Sequence, residues 1–368
     1  TLDLMNLTPG QASEEVDPEV LRARMMSQVH DTLQQEVLQQ VTTGTQFAMK
    51  AGKEKVRQRG GVLPSAKGKE HQVFSEVWKL AGKGLVFVFP PEAIPLLNKE
   101  RVRISPFGLV EKKHLGKPTG KLRPINHCSW PRKTSLNDHT RTDLERQCMM
   151  PGIQDYARTN LRLRYCFPAA RILASKGDAV GAFNHLFLDP KHVGDVAAEV
   201  AGHTIVNLVE CFGHAAAPTK YCARADVIDA LHNAWNDPVG SSKSQGQSSA
   251  EGDAVINGPP MIWRDIHGSA FAFCSDTYVD DGFIQGPNVD GQGGVNHLDA
   301  SVAEYESLLV HLMGKDAVSL KNLEEMVWSP AQVMCGLLHF VEAGAVGLQD
   351  GKRKRALEIV SLDRYMRK

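Results

Sequence analysis

The spacing of apolar residues changes several times along the chain, and each change marks an element. Leu21, Met25, Val29, Leu33, Val37 and Val41 recur at helical spacing behind Asp17-Pro18 and predict an N-terminal helix, suited either to docking on its own protein or to binding a partner. The run Leu85-Val86-Phe87-Val88-Phe89 reads as a strand that breaks at Pro90-Pro91. Residues 101–110 read as a second strand, which continues through Glu111-Lys112-Lys113 and a Gly/Pro loop to Lys121-Leu122-Arg123-Pro124-Ile125. Apolar residues flank Lys176-Gly177-Asp178 within residues 171–192, and that strand breaks at Asp189-Pro190. Residues 204–209 then predict a strand, Phe212-Gly213 a turn, and Pro218 the start of an amphipathic helix carrying Cys222, Ala225, Leu231 and Trp235.

Residues 271–286 carry β-branched and aromatic positions up to Tyr278-Val279-Asp280-Asp281. An Asp-Gly pair sits at the bend and Phe283-Ile284 begins the return, so the segment reads as a β-hairpin. Residues 298–313 predict a helix with Val302, Tyr305, Leu308, Leu309 and Leu312 inward, ended by Gly314. Residues 332–340 and 346–349 suggest a second hairpin across Ala343-Gly344, and a basic helix starts at Lys352. Between these elements, residues 1–16 are polar and acidic, 50–70 form a basic linker, and 240–252 form a Ser/Gln/Gly loop.

With 368 residues and 42% hydrophobic content, the chain can bury substantial cores in two or three lobes. Lys+Arg and Asp+Glu both number 42, so charge has meaning only locally. Between Lys99 and Lys133 ten Lys/Arg stand against two acids, a net of 10 − 2 = +8. A solvated basic face is one reading. Gripping a triphosphate or a nucleic-acid backbone is the other, with Lys as a point charge and Arg as a bidentate fork. The 7 cysteines are an odd, scattered set with no C-x-x-C pair, which argues against a disulfide framework and a zinc site and fits a reducing compartment. No apolar run approaches a membrane span of ~20 residues, and no signal-peptide pattern opens the sequence. The expectation is an intracellular protein of cytoplasm or nucleus, and a piece of a longer polypeptide.

Asp280 and Asp281 repel each other on a tight turn, and either solvent or a bound divalent cation must compensate them. Asp178 stands 280 − 178 = 102 positions earlier, leaving room for a helix and two strands to bring the carboxylates together. Three carboxylates on a strand and a hairpin of one sheet would form a site for two divalent cations, as nucleotidyl transfer requires. Gly116 to Leu122 is not a phosphate-binding P-loop, because one residue between the glycines and the closing Ser/Thr are missing. Gly246-Gln247-Ser248 lacks the closing Gly and preceding strand of a nucleophile elbow.

In this order the motifs resemble the fingers and palm of a retroelement reverse transcriptase over residues 100–360. Ser105-Pro106 with Val110 to Lys113, Gly120 to Ile125 and Ser135 to Asp138 look like the fingers pattern. Asp178 with Ala182-Phe183 is similar to the first catalytic motif, and Glu210 to Gly213 with Ala217-Pro218 to the template- and nucleotide-contacting motif. Tyr278 to Asp281 resembles the catalytic hairpin. Lys321, Trp328 to Pro330 and Gly336 to Leu338 resemble the late palm and primer grip. The fingers and residues 348–354 lean toward tyrosine-recombinase (DIRS-like) or long-terminal-repeat elements.

The resemblance implies an α+β right-hand polymerase with an antiparallel palm sheet backed by helices. An N-terminal extension would cover 1–70, fingers 71–170, palm 171–345 and the start of a thumb 346–368. It implies template-directed DNA synthesis from dNTPs on RNA, and on DNA. Asp178, Asp280 and Asp281 would hold two Mg²⁺, with Mn²⁺ as a substitute. Lys112 or Lys113, with Arg123, would hold the triphosphate. Phe183 would exclude a 2′-hydroxyl or simply pack in the core, Phe212 and Gly213 would floor the base, and Lys321 would protonate pyrophosphate. Tyr278 and Gly336 would support hairpin and primer grip. Partners would be a primed RNA or DNA template, with ribonuclease H, recombinase or integrase domains in a longer polyprotein. The rivals are an RNA-dependent RNA polymerase, a domesticated non-catalytic nucleic-acid-binding protein, and a structural partner acting through the N-terminal helix. The sequence departs from the family pattern at Cys211, where Pro is common, at His214, and at Gly282, where a hydrophobic residue is usual.

Overall fold

The computed structural model describes residues 16–25, 29–50, 61–96, 102–114, 117–148, 150–234, 263–264, 270–271, 273–278, 281–288, 297–318, 326–335 and 337–354. In chain order the elements are α1 (Pro18–Met25), α2 (Asp31–Thr42), α3 (Glu70–Gly82), β1 (Val86–Phe89), β2 (Ile104–His114), β3 (Lys117–Asn126), α4 (Leu136–His139) and α5 (Ile153–Cys166). There follow β4 (Arg171–Asp178), α6 (Pro190–Val193), β5 (Ala197–Val200), β6 (His203–Asn207), α7 (Ala217–Ala234), β7 (Trp263–Arg264) and β8 (Ala270–Phe271). The last are β9 (Cys274–Tyr278), β10 (Asp281–Asn288), α8 (His297–Met313), β11 (Ala331–Met334), β12 (Leu337–Phe340) and β13 (Ala345–Leu348). The chain divides into two compact units, Thr1–Glu19 with Gln35–Cys148 and Gly181–Arg224, and Val20–Gln34 with Met149–Val180 and Ala225–Lys368.

The first unit is built on a five-stranded sheet in the order β1-β6-β5-β2-β3. Its pairs are antiparallel except β2 with β5, which runs parallel from Ile104↔Ala197 to Pro106↔Glu199, so the sheet is mixed rather than purely antiparallel. Parallel neighbours need a long crossover, and the connection from β3 to β5 is long enough to supply it. Alternation then feeds two cores. Ile104, Ala197 and Val206 join Phe47, Leu136 and Leu208 in one, while Phe107, Ala198 and Ile205 join Val73 and Val77 of α3 in the other.

The N-terminal apolar stripe forms two helices rather than one. The second opens at Asp31, where the Thr32 amide donates to His30 Nδ1 at 3.3 Å. Within the first unit, Gln40 of α2 donates to Lys220 O at 3.2 Å and accepts from Arg224 Nε at 3.1 Å, so this part of α2 docks on its own protein. Lys220 Nζ bridges Glu145 at 2.6 Å and Glu36 at 3.5 Å nearby. Beside them Cys148 and Cys222 are joined as a disulfide, with Cα atoms 6.3 Å apart, a pairing that the scattered cysteine spacing had argued against. The two cysteines are 74 residues apart in sequence and meet only through the fold.

The second unit contains the three-stranded antiparallel sheet β4-β10-β9. Its core gathers Tyr156 and Leu163 of α5, Ile172 and Ala174 of β4, Phe283 of β10, and Met334 and Val341. A second sheet, β11-β12-β13, attaches through paired hydrogen bonds between Ala174 and Ser329 at 2.8 and 2.9 Å. The segment expected as one strand over 332–340 is two strands, because Cys335 turns the chain at φ 50°. α7 is buried around most of its circumference, at Tyr221, Cys222, Ala223, Val227, Ile228 and His232, instead of on one stripe. The whole is α+β, and no helix among the described residues is long and apolar enough to cross a membrane.

Candidate active site

The two strands pair antiparallel as expected, with Asp281↔Tyr278 and Phe283↔Asp276 across β10 and β9, but Asp281-Gly282, expected at the bend, opens the returning strand instead. β10 is the central strand, and on its other side Asp281 lies opposite Asp178 of β4. Directly opposed residues share one face of a sheet with Cβ atoms about 5 Å apart, so these two aspartates lie side by side on one face. Their mutual repulsion is relieved by Lys176, two residues before Asp178, whose Nζ lies 2.8 Å from Asp281 Oδ1. Asp280 lies outside the described residues, as do Lys321 and Gly336. The backbone of Tyr278 pairs with that of Asp281.

On the opposite face of the sheet, Gly177 and Gly282 are register partners beneath Tyr305 of α8. A Cβ at Gly282 would fall 2.0 Å from Tyr305 Oη, which is why glycine follows the second aspartate here. On the carboxylate face, Phe283 packs edge-on against Tyr156 with ring centroids 5.2 Å apart. The start of β10 is therefore braced on both faces.

β9 is an edge strand, and α7 covers its outer edge with side chains instead of another strand. Asn233 donates to Ser275 O and accepts from Ser275 N, both at 2.9 Å. One turn earlier Asp229 accepts from the Thr277 amide at 2.6 Å and from the Thr277 hydroxyl at 2.9 Å, and that hydroxyl lies 3.0 Å from Tyr305 Oη. The strand edge is satisfied by a carboxyl and an amide side chain spaced i, i+4. Burial, with the nearby Asp276 charge, pushes the Asp229 carboxyl up to about 7 against the opposing Thr277 hydrogen bonds. Burial, then the Asp155 charge, lifts Asp276 to about 6. None of these edge residues was singled out from sequence. The available signal was an Asp and an Asn four apart on one helix.

The first unit holds the other expected residues. Lys112 and Lys113 belong to β2, and Arg123 of β3 is the register partner of Val110. The exposed Arg123 guanidinium stands 4.9 Å from the ring centroid of Phe212, a cation–π contact. Phe212 in turn meets Phe183 edge-on at 4.8 Å, and Phe183 reaches Tyr221 at 6.1 Å. Phe183 is buried, so packing is part of its role. Gly213 sits at φ 109°, and a Cβ there would lie 2.0 Å from Asn126 O. Its carbonyl accepts from Asn137 Nδ2 at 2.8 Å, while Asn137 Oδ1 accepts from Ala215 N at 2.9 Å, so one side chain clamps both sides of the turn.

Next to it, His214 Nδ1 bonds Glu210 Oε2 at 2.7 Å and His214 Nε2 contacts Thr140 Oγ1 at 3.2 Å, all buried. Burial alone would depress the imidazole, but the Glu210 charge and hydrogen bond leave its pKa raised. Cys211 lies 3.8 Å, sulfur to sulfur, from buried Cys128.

No protein-family description matches the sequence, and no curated protein matches it. Solved structures share the fold. One is a foamy viral protease-reverse transcriptase dRH in complex with ds DNA, 13% identical, with a TM-score of 0.50 over 93% of this chain and 49% of that chain. A foamy viral protease-reverse transcriptase in complex with RNA/DNA hybrid aligns at a TM-score of 0.47 and 13% identity, over 93% of this chain and 38% of that one. The likeness to the first is one of fold, and this chain spans half or less of the length of either protein.

Proposed function

We propose that this chain performs template-directed DNA synthesis from dNTPs, on RNA and on DNA templates, by two-metal nucleotidyl transfer. The observation that carries the proposal is the register Asp281↔Asp178, which sets two carboxylates side by side at the tip of a Tyr-x-Asp-Asp hairpin in a reverse-transcriptase-like fold. The donor set fits Mg²⁺, and Mn²⁺ as a substitute. Both described ligands are hard carboxylate oxygens, and Asp281 keeps 30% of its side chain exposed, which leaves room for the waters Mg²⁺ retains. Among the described residues no group of three or more His, Cys, Asp or Glu is gathered, and Asp280 would be the third ligand. Bound there, two such ions would lower the pKa of a primer 3′-hydroxyl and neutralise charge on the phosphates.

The chain's own residues do the rest by positioning. Lys112, Lys113 and Arg123 bind the triphosphate, with the Arg123 fork oriented by its stacking on Phe212. Phe212 and the clamped Gly213 turn floor the base, and the Phe183 edge stands against a 2′-hydroxyl. Lys321 donates a proton to pyrophosphate, and Tyr278 and Gly336 support the hairpin and primer grip. A primed template is held through backbone charge and shape. A DIRS-like or long-terminal-repeat origin is the finer affiliation, resting on the wording of the fingers.

The test is extension of a DNA primer on poly(rA) with dTTP and Mg²⁺, comparing the parent with Asp280→Asn plus Asp281→Asn. Loss of extension only in the variant supports the proposal, and absence of extension in the parent removes it. One observation favours a second reading, a non-catalytic nucleic-acid binder: Lys176 already neutralises Asp281. Salt-dependent template binding without extension selects that reading.

A further inference from the structure

We infer that Lys176 is the resident counter-cation of the carboxylate site, whose ammonium a divalent ion must displace from Asp281 in order to bind. The inference rests on the metal site proposed above and adds a residue that sets that site's affinity. On β4, Lys176 and Asp178 are two apart and share a face, and their partners across the register are Phe283 and Asp281. Lys176 therefore lies diagonal to Asp281, within reach of a long side chain, and its Nζ closes to 2.8 Å of Asp281 Oδ1. The two side chains keep 31% and 30% of their surface, so the pair is open to solvent and exchangeable. A bound metal and an ammonium cannot share one carboxylate oxygen at hydrogen-bonding distance without strong like-charge repulsion.

Two consequences follow. Without metal, Lys176 holds Asp281 in place opposite Asp178 and offsets their repulsion. With metal, the ammonium gives way, so the parent binds the ion less tightly than a chain with no charge at this position. Lys176 is thus a positioning residue that stabilises the empty site and makes metal occupancy dependent on concentration.

Titration of the full chain with Mn²⁺, followed by electron paramagnetic resonance of free Mn²⁺, tests this on the parent, Lys176→Met, Lys176→Gln and Asp178→Asn plus Asp281→Asn. The expected result is tighter binding, by about three- to tenfold, in both Lys176 variants, and loss of this binding in the aspartate variant. The melting temperature of Lys176→Met should lie below the parent's without metal and rise more than the parent's on adding Mn²⁺. Should one Lys176 variant fail to fold, the other carries the comparison. Equal affinity in parent and Lys176 variants overturns the inference while leaving the metal site standing. Mn²⁺ binding that is unaffected by the aspartate substitutions overturns the site itself, and the inference with it.

Discussion

Asp229→Asn should stabilise the protein in alkaline solution. In the folded chain the Asp229 carboxyl is pushed up to about 7, whereas the ordinary value is 3.8. A group that binds its proton more tightly when folded contributes stability that is present below the unfolded pKa and is lost as pH rises through the folded one. The window is therefore about pH 4 to 7. The interval of about three pKa units sets a ceiling near 4 kcal/mol lost by pH 8, and because the Asp229 residue is only partly buried from solvent the loss is screened to about 1–2 kcal/mol.

Asparagine avoids that loss and keeps the edge satisfied. Its Oδ1 accepts from the Thr277 amide, its Nδ2 donates to the Thr277 hydroxyl, and that hydroxyl turns to donate to Tyr305 Oη. Urea midpoints of parent and variant at pH 5.5 and pH 8.5 make the test. The variant should gain about 1 kcal/mol more at pH 8.5 than at pH 5.5, since only part of the window lies between them. An Asn variant less stable than the parent by the same amount at both pH values would refute the reasoning, because it would mean that the edge strand requires the ionised carboxylate.

Gly282→Ala should cost about 2–3 kcal/mol, because its methyl enters the Tyr305 ring, and Tyr305→Leu in the same chain should return part of it; thermal melts of the single and double variants measure both. Stability should also fall as pH rises from about 6.5 through the raised His214 pKa, and Glu210→Gln should flatten that slope while costing about 2 kcal/mol at pH 6. Alkylation of the denatured, unreduced chain followed by mass spectrometry should show two fewer labels than after reduction, and Cys148→Ser should remove the difference.

The hairpin was legible because its signal is local, β-forming residues and a tetrapeptide within sixteen residues, although the Asp281-Gly282 pair read as its bend belongs to β10. α8 was legible for the same reason, with Tyr305, Leu308, Leu309 and Leu312 buried as its spacing requires. α5 was not, because its inward positions include polar Asn160, which donates to Val341 O at 2.9 Å, while Leu161 and Tyr165 point outward. β5 is a four-residue strand with two alanines, too short and too small for a pattern to register. Lys176 was visible beside Asp178, but its partner depends on the register of β4 against β10, which no local pattern contains. Asp229 and Asn233 were hidden for the same reason, since their role exists only once α7 meets the β9 edge.

The three departures from the reverse-transcriptase pattern are each matched by a neighbour. Gly282 is small where Tyr305 Oη occupies the space of a side chain. His214 is buried where the equally buried Glu210 meets its Nδ1 and Thr140 takes its second nitrogen. Cys211 replaces a proline where the small, buried thiol of Cys128 lies against it. Substitutions accumulating without selection on the fold would leave cavities, clashes and unpaired charges at such positions, each costing about 1–3 kcal/mol. Three in a chain with a typical stability of about 5–15 kcal/mol would endanger folding. Compensation at all three sites therefore shows how the packing of this chain accommodates the departures, with Tyr305, Glu210 and Cys128 in the same structural units as the residues they accommodate.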